Sequence, residues 1–86
     1  MEPPAVAAEV GRLLEARGAT VATAESATGG LIGSLLTDMP GASAYFDRAV
    51  VTYSYRAKLT ALGVDRAVLD AEGAVSTAVA TQMAQR

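Results

Sequence analysis

Thr20-Val21-Ala22-Thr23-Ala24-Glu25-Ser26-Ala27-Thr28-Gly29-Gly30-Leu31 decides the fold. Thr20 to Ala24 is a short β-prone run without strong alternation, as expected of a strand covered on both faces. It breaks at a serine followed by two glycines, and Leu31, Ile32, Leu35 and Leu36 then space as a helix. A strand that turns into a helix in this way presents a hydroxyl beside the unsatisfied N–H groups of a helix start. A nucleophile and an anion-stabilising site can then sit together.

Working outward, Pro3 and Pro4 suit the first turn of a helix. Val6, Val10, Leu13 and Leu14 recur on one helical face, and Gly18 suits the left-handed position after its end. Pro40-Gly41 marks a turn. Tyr45 to Tyr53 contains a second strand, most β-like at Val50-Val51-Thr52-Tyr53, and it ends on polar residues that run into Lys58. A short helix follows through Ala57, Leu59 and Leu62, closed by Gly63. Asp65 and Ser76 read as N-caps of two more helices. The order α, β, α, β and then helices argues for α/β layering. Two strands are fewer than an independent sheet normally needs, so the pattern implies a missing C-terminal half or a partner that supplies strands. The chain also stops at Arg86 inside what reads as a helix, while Met1-Glu2-Pro3-Pro4 reads as a standalone start.

At 86 residues the chain is one domain at most. Its 51% hydrophobic and 19% charged residues are those of a globular protein. A net charge of −2 with no basic stripe gives no case for nucleic acid or for an anionic membrane surface. There is no cysteine, which excludes disulfides, zinc–thiolate sites and thiol catalysis. There is no histidine, so proton transfer near neutral pH falls to lysine, tyrosine, a carboxylate or water. No secretory signal or membrane span is evident, and the reading is a soluble cytoplasmic protein with no cofactor. No carboxylate cluster has metal-ligand spacing, so no metal is expected.

Ser26 has two readings. It is either the N-cap of the helix beginning near Thr28 or a nucleophile beside exposed amides. The stretch is not a Walker loop, because its lysine is absent. It is not a Gly-x-Ser-x-Gly elbow either, because Ala24 stands where the first glycine belongs. Lys58 is either a solvated helix residue or a general base, the second requiring burial or nearby positive charge. Serine–lysine catalysis without histidine is an established variant. Tyr53 is an interface residue or a relay hydroxyl, Glu25 reads as structural, and Thr28 as a second cap residue or a donor to ligand. Asp47, Arg48 and Arg56 read as surface charges, with either arginine able to reach a phosphate.

The ordered set Ala24-Glu25-Ser26-Ala27-Thr28-Gly29-Gly30, Pro40-Gly41-Ala42-Ser43-Ala44-Tyr45-Phe46, Val51-Thr52-Tyr53-Ser54, Ala57-Lys58, Leu62-Gly63-Val64 and Gly73-Ala74-Val75-Ser76 resembles the C-terminal domain of the CinA family. That domain also occurs alone as nicotinamide-nucleotide amidase. The resemblance covers nearly the whole chain. It implies a three-layer α/β/α fold with a mixed sheet, present here as its N-terminal half, so that residues 1–86 form a single truncated domain. It implies hydrolysis of nicotinamide mononucleotide to nicotinic acid mononucleotide and ammonia, within pyridine-nucleotide recycling. By position, Ser26 matches the motif serine as nucleophile, Lys58 the lysine as base and Tyr53 the nearby tyrosine. Thr28, Gly29 and Gly30 match the loop that faces the substrate, with amides near Thr28 and Gly29 holding the oxyanion. The chain departs from the family pattern at Ala27, where cysteine is usual, and at Ala49, which replaces a glycine. It also lacks the Thr/Ser-Gly-Ile-Ala-Gly-Pro loop of the family domain's second half. The alternative reading is a non-catalytic truncated domain that binds a nucleotide or another protein. Exposed strand edges point to a homo-oligomer.

Overall fold

Two prolines and a glycine delimit the first helix. In the computed structural model, which describes residues 2–85, α1 spans Pro3–Arg17 with proline in its first positions. It ends where Gly18 turns left-handed at φ 63°, and the amides of Gly18 and Ala19 bond back to Glu15 and Leu14. Next come β1 (Val21–Glu25), α2 (Leu31–Thr37), a single 3-10 turn at Ala42–Ala44 and β2 (Phe46–Val51). Three helices follow: α3 (Tyr55–Leu62), α4 (Arg66–Glu72) and α5 (Thr77–Gln85). Met1, read as a chain start, and Arg86, read as a chain end inside a helix, lie outside the described residues.

The fold is α/β, with β1 and β2 forming a two-stranded sheet among the described residues. Val21 N–H donates to the Tyr45 carbonyl at 2.7 Å near the start of both strands. Thr52 N–H donates to the Glu25 carbonyl at 2.8 Å at their ends. Both bonds advance in the same chain direction, so the strands are parallel.

The chain divides into two compact units. The first comprises the described residues up to Thr23 together with Gly30–Val50. Here α1 packs on α2 through small residues. Ala7 and Gly11 are buried on α1, Gly33 and Leu36 on α2, and Ala42 and Tyr45 beside the 3-10 turn. This corrects the face expected from periodicity. Val10 and Leu14 are half-buried, whereas Val6 and Leu13 are 44% and 43% exposed. The buried line passes instead through residues whose small side chains admit close approach. At Gly11 a Cβ would stand 2.5 Å from the Tyr45 hydroxyl oxygen and 2.7 Å from its Cζ, so the tyrosine ring occupies the space that glycine leaves.

The second unit comprises Ala24–Gly29 and the described residues from Val51 onward. Its core is Val64, Leu69, Val79 and Met83, with Ala24, Leu59, Leu62, Val68 and Ala74 packed around them. Ser54 caps α3 by accepting from the Ala57 amide at 3.0 Å, and Gly63 closes it at φ 66°. Ser76 caps α5 through the Val79 amide at 3.2 Å, as its position implies. Asp65 stands at the N-cap position of α4 but makes no side-chain cap bond. It pairs instead with Gln82 of α5, whose side-chain amide accepts from the Asp65 N–H at 2.8 Å and donates to its carboxylate at 3.2 Å. A long-range amide partner has replaced the local one.

Candidate functional site

Ser26 lies one residue past the end of β1, where the chain leaves the strand in a turn. The helix starts later than expected. α2 begins at Leu31, its N-cap is Gly30 at φ 102°, and no side chain caps it. Gly29 (φ 64°) and Gly30 both adopt left-handed conformations that residues with a Cβ rarely enter, so the chain stays in a turn for four residues after the serine. Ser26 is therefore not a helix cap. Its carbonyl accepts the Gly29 amide at 3.0 Å, closing the turn, and its hydroxyl is directed elsewhere.

That hydroxyl meets Lys58. The Lys58 Nζ lies 2.8 Å from Ser26 Oγ and 2.9 Å from the Thr52 carbonyl oxygen. Lys58 is the fourth residue of α3, and the Ser54 cap fixes where that helix begins. Only 1% of the residue is exposed, although lysine is almost never fully buried unless paired. Both partners come from the loops that follow the two strands. The Glu25–Thr52 backbone bond holds those loops together.

Glu25, read as structural, is 3% exposed, and its Oε1 accepts the Thr28 hydroxyl at 2.7 Å. The Thr28 side chain is thus turned back toward the end of β1. Tyr53 is 73% exposed, and no hydrogen bond joins it to Ser26 or Lys58 among the described residues. The structure therefore brings Ser26, Lys58, Glu25 and Thr28 into one bonded group, sets Gly29 in the turn beneath it, and leaves Tyr53 outward. Gly30, the remaining loop residue, caps α2. Of the two amides expected to hold an oxyanion, that of Gly29 is committed to the turn, while that of Thr28 carries no backbone acceptor among the described residues; the Ala27 amide, not expected there, is likewise without one.

Thr52 is the site residue that sequence reasoning missed. It is 1% exposed, its amide and carbonyl are both bonded, and its Oγ1 has no partner among the described residues. A signal for Lys58 was also present and unread: it is the chain's single lysine, the other six basic residues being arginine. Arg48, by contrast, is paired on the surface with Asp47 at 2.7 Å. Among the described residues no group of three His, Cys, Asp or Glu side chains could hold a metal ion. Among the described residues no helix is long and apolar enough to cross a membrane.

Residues 4–86 match the family described as the CinA C-terminal domain. A CinA-like protein of Desulforapulum autotrophicum is 56% identical over 77 residues, which are 90% of this chain and 18% of that protein. The crystal structure of the competence/damage inducible protein of Agrobacterium tumefaciens superposes with a TM-score of 0.94 at 43% identity, covering 96% of this chain and 50% of that one. The competence damage-inducible protein A of Klebsiella pneumoniae gives a TM-score of 0.96 at 38% identity, covering 99% and 53%. The chain thus spans about half the length of the solved structures it matches, and a smaller share of the full-length relatives.

Proposed function

The chain belongs to the CinA C-terminal domain family, and from that premise we propose that it is an amidohydrolase unit that converts nicotinamide mononucleotide to nicotinic acid mononucleotide and ammonia. The single observation that carries this reading is the buried Lys58 Nζ at 2.8 Å from Ser26 Oγ. A nucleophile and a base within hydrogen-bond reach, the base oriented by a third group, are the requirements of covalent acyl transfer. Here the third group is the Thr52 carbonyl, which accepts one N–H of the amine at 2.9 Å. In the unprotonated amine that bond leaves the lone pair for Ser26.

The reaction then runs in two stages. Lys58 takes the Ser26 proton as Oγ attacks the carboxamide carbon. The amides of Ala27 and Thr28 are the donors assigned to the oxyanion. The protonated amine returns its proton to the leaving nitrogen, the C–N bond breaks and ammonia departs. Water, deprotonated by the same amine, attacks the Ser26 ester, and the carboxylate product leaves with Oγ reprotonated. Gly29 and Gly30 let the backbone approach a bound substrate closely, and Tyr53, exposed and not bonded to Ser26 or Lys58 among the described residues, would take part only through substrate.

A second reading, a non-catalytic module that binds a nucleotide or another protein, is favoured by coverage: the solved relatives are about twice as long as the region matched. Ammonia release from nicotinamide mononucleotide by the purified chain, with Ser26→Ala as control, separates the two. Release that the control abolishes supports the amidohydrolase. A folded chain that releases none supports the module.

A further inference from the structure

We propose that Thr28 is a positioning residue: through the Glu25 carboxyl group, its hydroxyl locks the turn that holds Ser26 Oγ on Lys58 Nζ. The inference rests on the reading of Ser26 as the nucleophile, but its geometric content can be tested without substrate.

Ser26 has to be held from both sides, because it lies in a turn that contains two left-handed glycines. On the strand side, the Glu25 carbonyl accepts the Thr52 amide at 2.8 Å, which registers Ser26 against the loop whose Thr52 carbonyl also fixes Lys58. On the far side the backbone supplies one bond, from the Gly29 amide to the Ser26 carbonyl at 3.0 Å. That bond alone leaves the turn free to swing, because Gly29 has broad conformational freedom. The Thr28 hydroxyl adds a second closure one residue earlier, from position 28 back to position 25. It donates at 2.7 Å to an Oε1 that belongs to a side chain only 3% exposed. The accepting end is buried, which strengthens the bond, although Thr28 itself is exposed. Glu25 thus acts at both ends of the turn, its carbonyl toward Thr52 and its carboxyl group toward Thr28, and Ser26 is the residue between. A hydroxyl turned to Glu25 also has its proton committed there. Thr28 accordingly serves the site by shaping it, and its role passes through Ser26 rather than through contact with substrate.

Lys58 is the chain's single lysine, so lysine labelled with ¹³C at Cε and ¹⁵N at Nζ gives one assigned side-chain signal from the whole protein. At fixed pH, Ser26→Ala should shift that signal, since it removes the 2.8 Å partner. Thr28→Val, which keeps the branched shape and removes the hydroxyl, should shift it in the same direction, and Thr28→Ser should restore the parent position. Circular dichroism of each variant should match the parent. Ammonia release provides the second readout: kcat should fall at least tenfold in Thr28→Val with KM little changed, and recover in Thr28→Ser. Two spectroscopic results would overturn the proposal: a parent-like Lys58 signal in Thr28→Val, or a Ser26→Ala variant that does not move the signal at all. A chain that releases no ammonia, yet shows the expected shifts and rescue, removes the amidohydrolase reading and leaves the clamp standing.

Discussion

Lys58 and Ser26 are 32 positions apart in the chain, yet the lysine Nζ stands 2.8 Å from the serine Oγ at a depth where only 1% of the lysine is exposed. Removing an amine from water is costly unless its hydrogen-bonding capacity is satisfied. The Thr52 carbonyl and the Ser26 hydroxyl meet that demand. A lysine that served only as a surface charge would gain nothing from such a position. The contact is what the proposed proton exchange between the two side chains requires.

Lys58→Arg separates the donor role of this side chain from its role as a base. A guanidinium can still donate hydrogen bonds, but it does not deprotonate in proteins. Turnover in Lys58→Arg should therefore fall by about 10³-fold or more at every pH at which the protein stays folded. Ammonia release by the two proteins checks this, and a Lys58→Arg variant that keeps the parent's turnover would remove the lysine from the reaction.

Gly11→Ala should destabilise the first unit, even though alanine is the better helix former by about 1 kcal/mol. The new Cβ would lie 2.5 Å from the Tyr45 hydroxyl oxygen and 2.7 Å from Cζ, and a rigid buried ring has no flexible end to yield. Overpacking of this kind typically costs about 1–3 kcal/mol. Tyr45→Phe in the same chain removes the nearer atom and should recover part of the loss. A denaturant midpoint for Gly11→Ala at or above the parent's would refute the packing account.

Ser54→Ala should cost about 1 kcal/mol, the usual worth of an N-cap. Its hydroxyl satisfies the Ala57 amide at 3.0 Å, one residue before the lysine. Ser54→Asp supplies another capping oxygen and should restore the midpoint. If alanine and aspartate unfold together with the parent, the cap contributes nothing.

Much of this arrangement can be read in the chain, and what cannot has identifiable causes. Gly18, Ser54, Gly63 and Ser76 act at helix ends as their residue types dictate, because capping chemistry is local. Residue chemistry offers Ser26 and Lys58 as a pair but leaves a bland reading open for each, since a 32-residue separation is closed by strand pairing that no local rule encodes. The buried face of α1 escapes periodicity because Ala7 and Gly11 carry almost no hydrophobic signal, while the conspicuous Val6 and Leu13 face outward. The start of α2 is misplaced for a related reason. Serine before a helix is a strong capping signal, but two left-handed glycines postpone the helix to Leu31 and release the serine hydroxyl to Lys58.

Thr52→Val tests the remaining irregularity of the site. The Thr52 Oγ1 is buried and has no partner among the described residues, and an unsatisfied hydroxyl of this kind costs about 1–3 kcal/mol. Valine keeps the branched shape and the strand preference and removes the orphaned oxygen. The backbone amide to Glu25 and the carbonyl to Lys58 belong to the main chain and survive the substitution. Stability should therefore be unchanged or raised by about 1 kcal/mol, read as a higher denaturant midpoint at constant slope. A loss of about 1 kcal/mol or more would mean that the hydroxyl has a partner in solution. The buried floor beneath Lys58 would then be hydrated rather than dry, and the amine would work in a more polar setting than its direct partners provide.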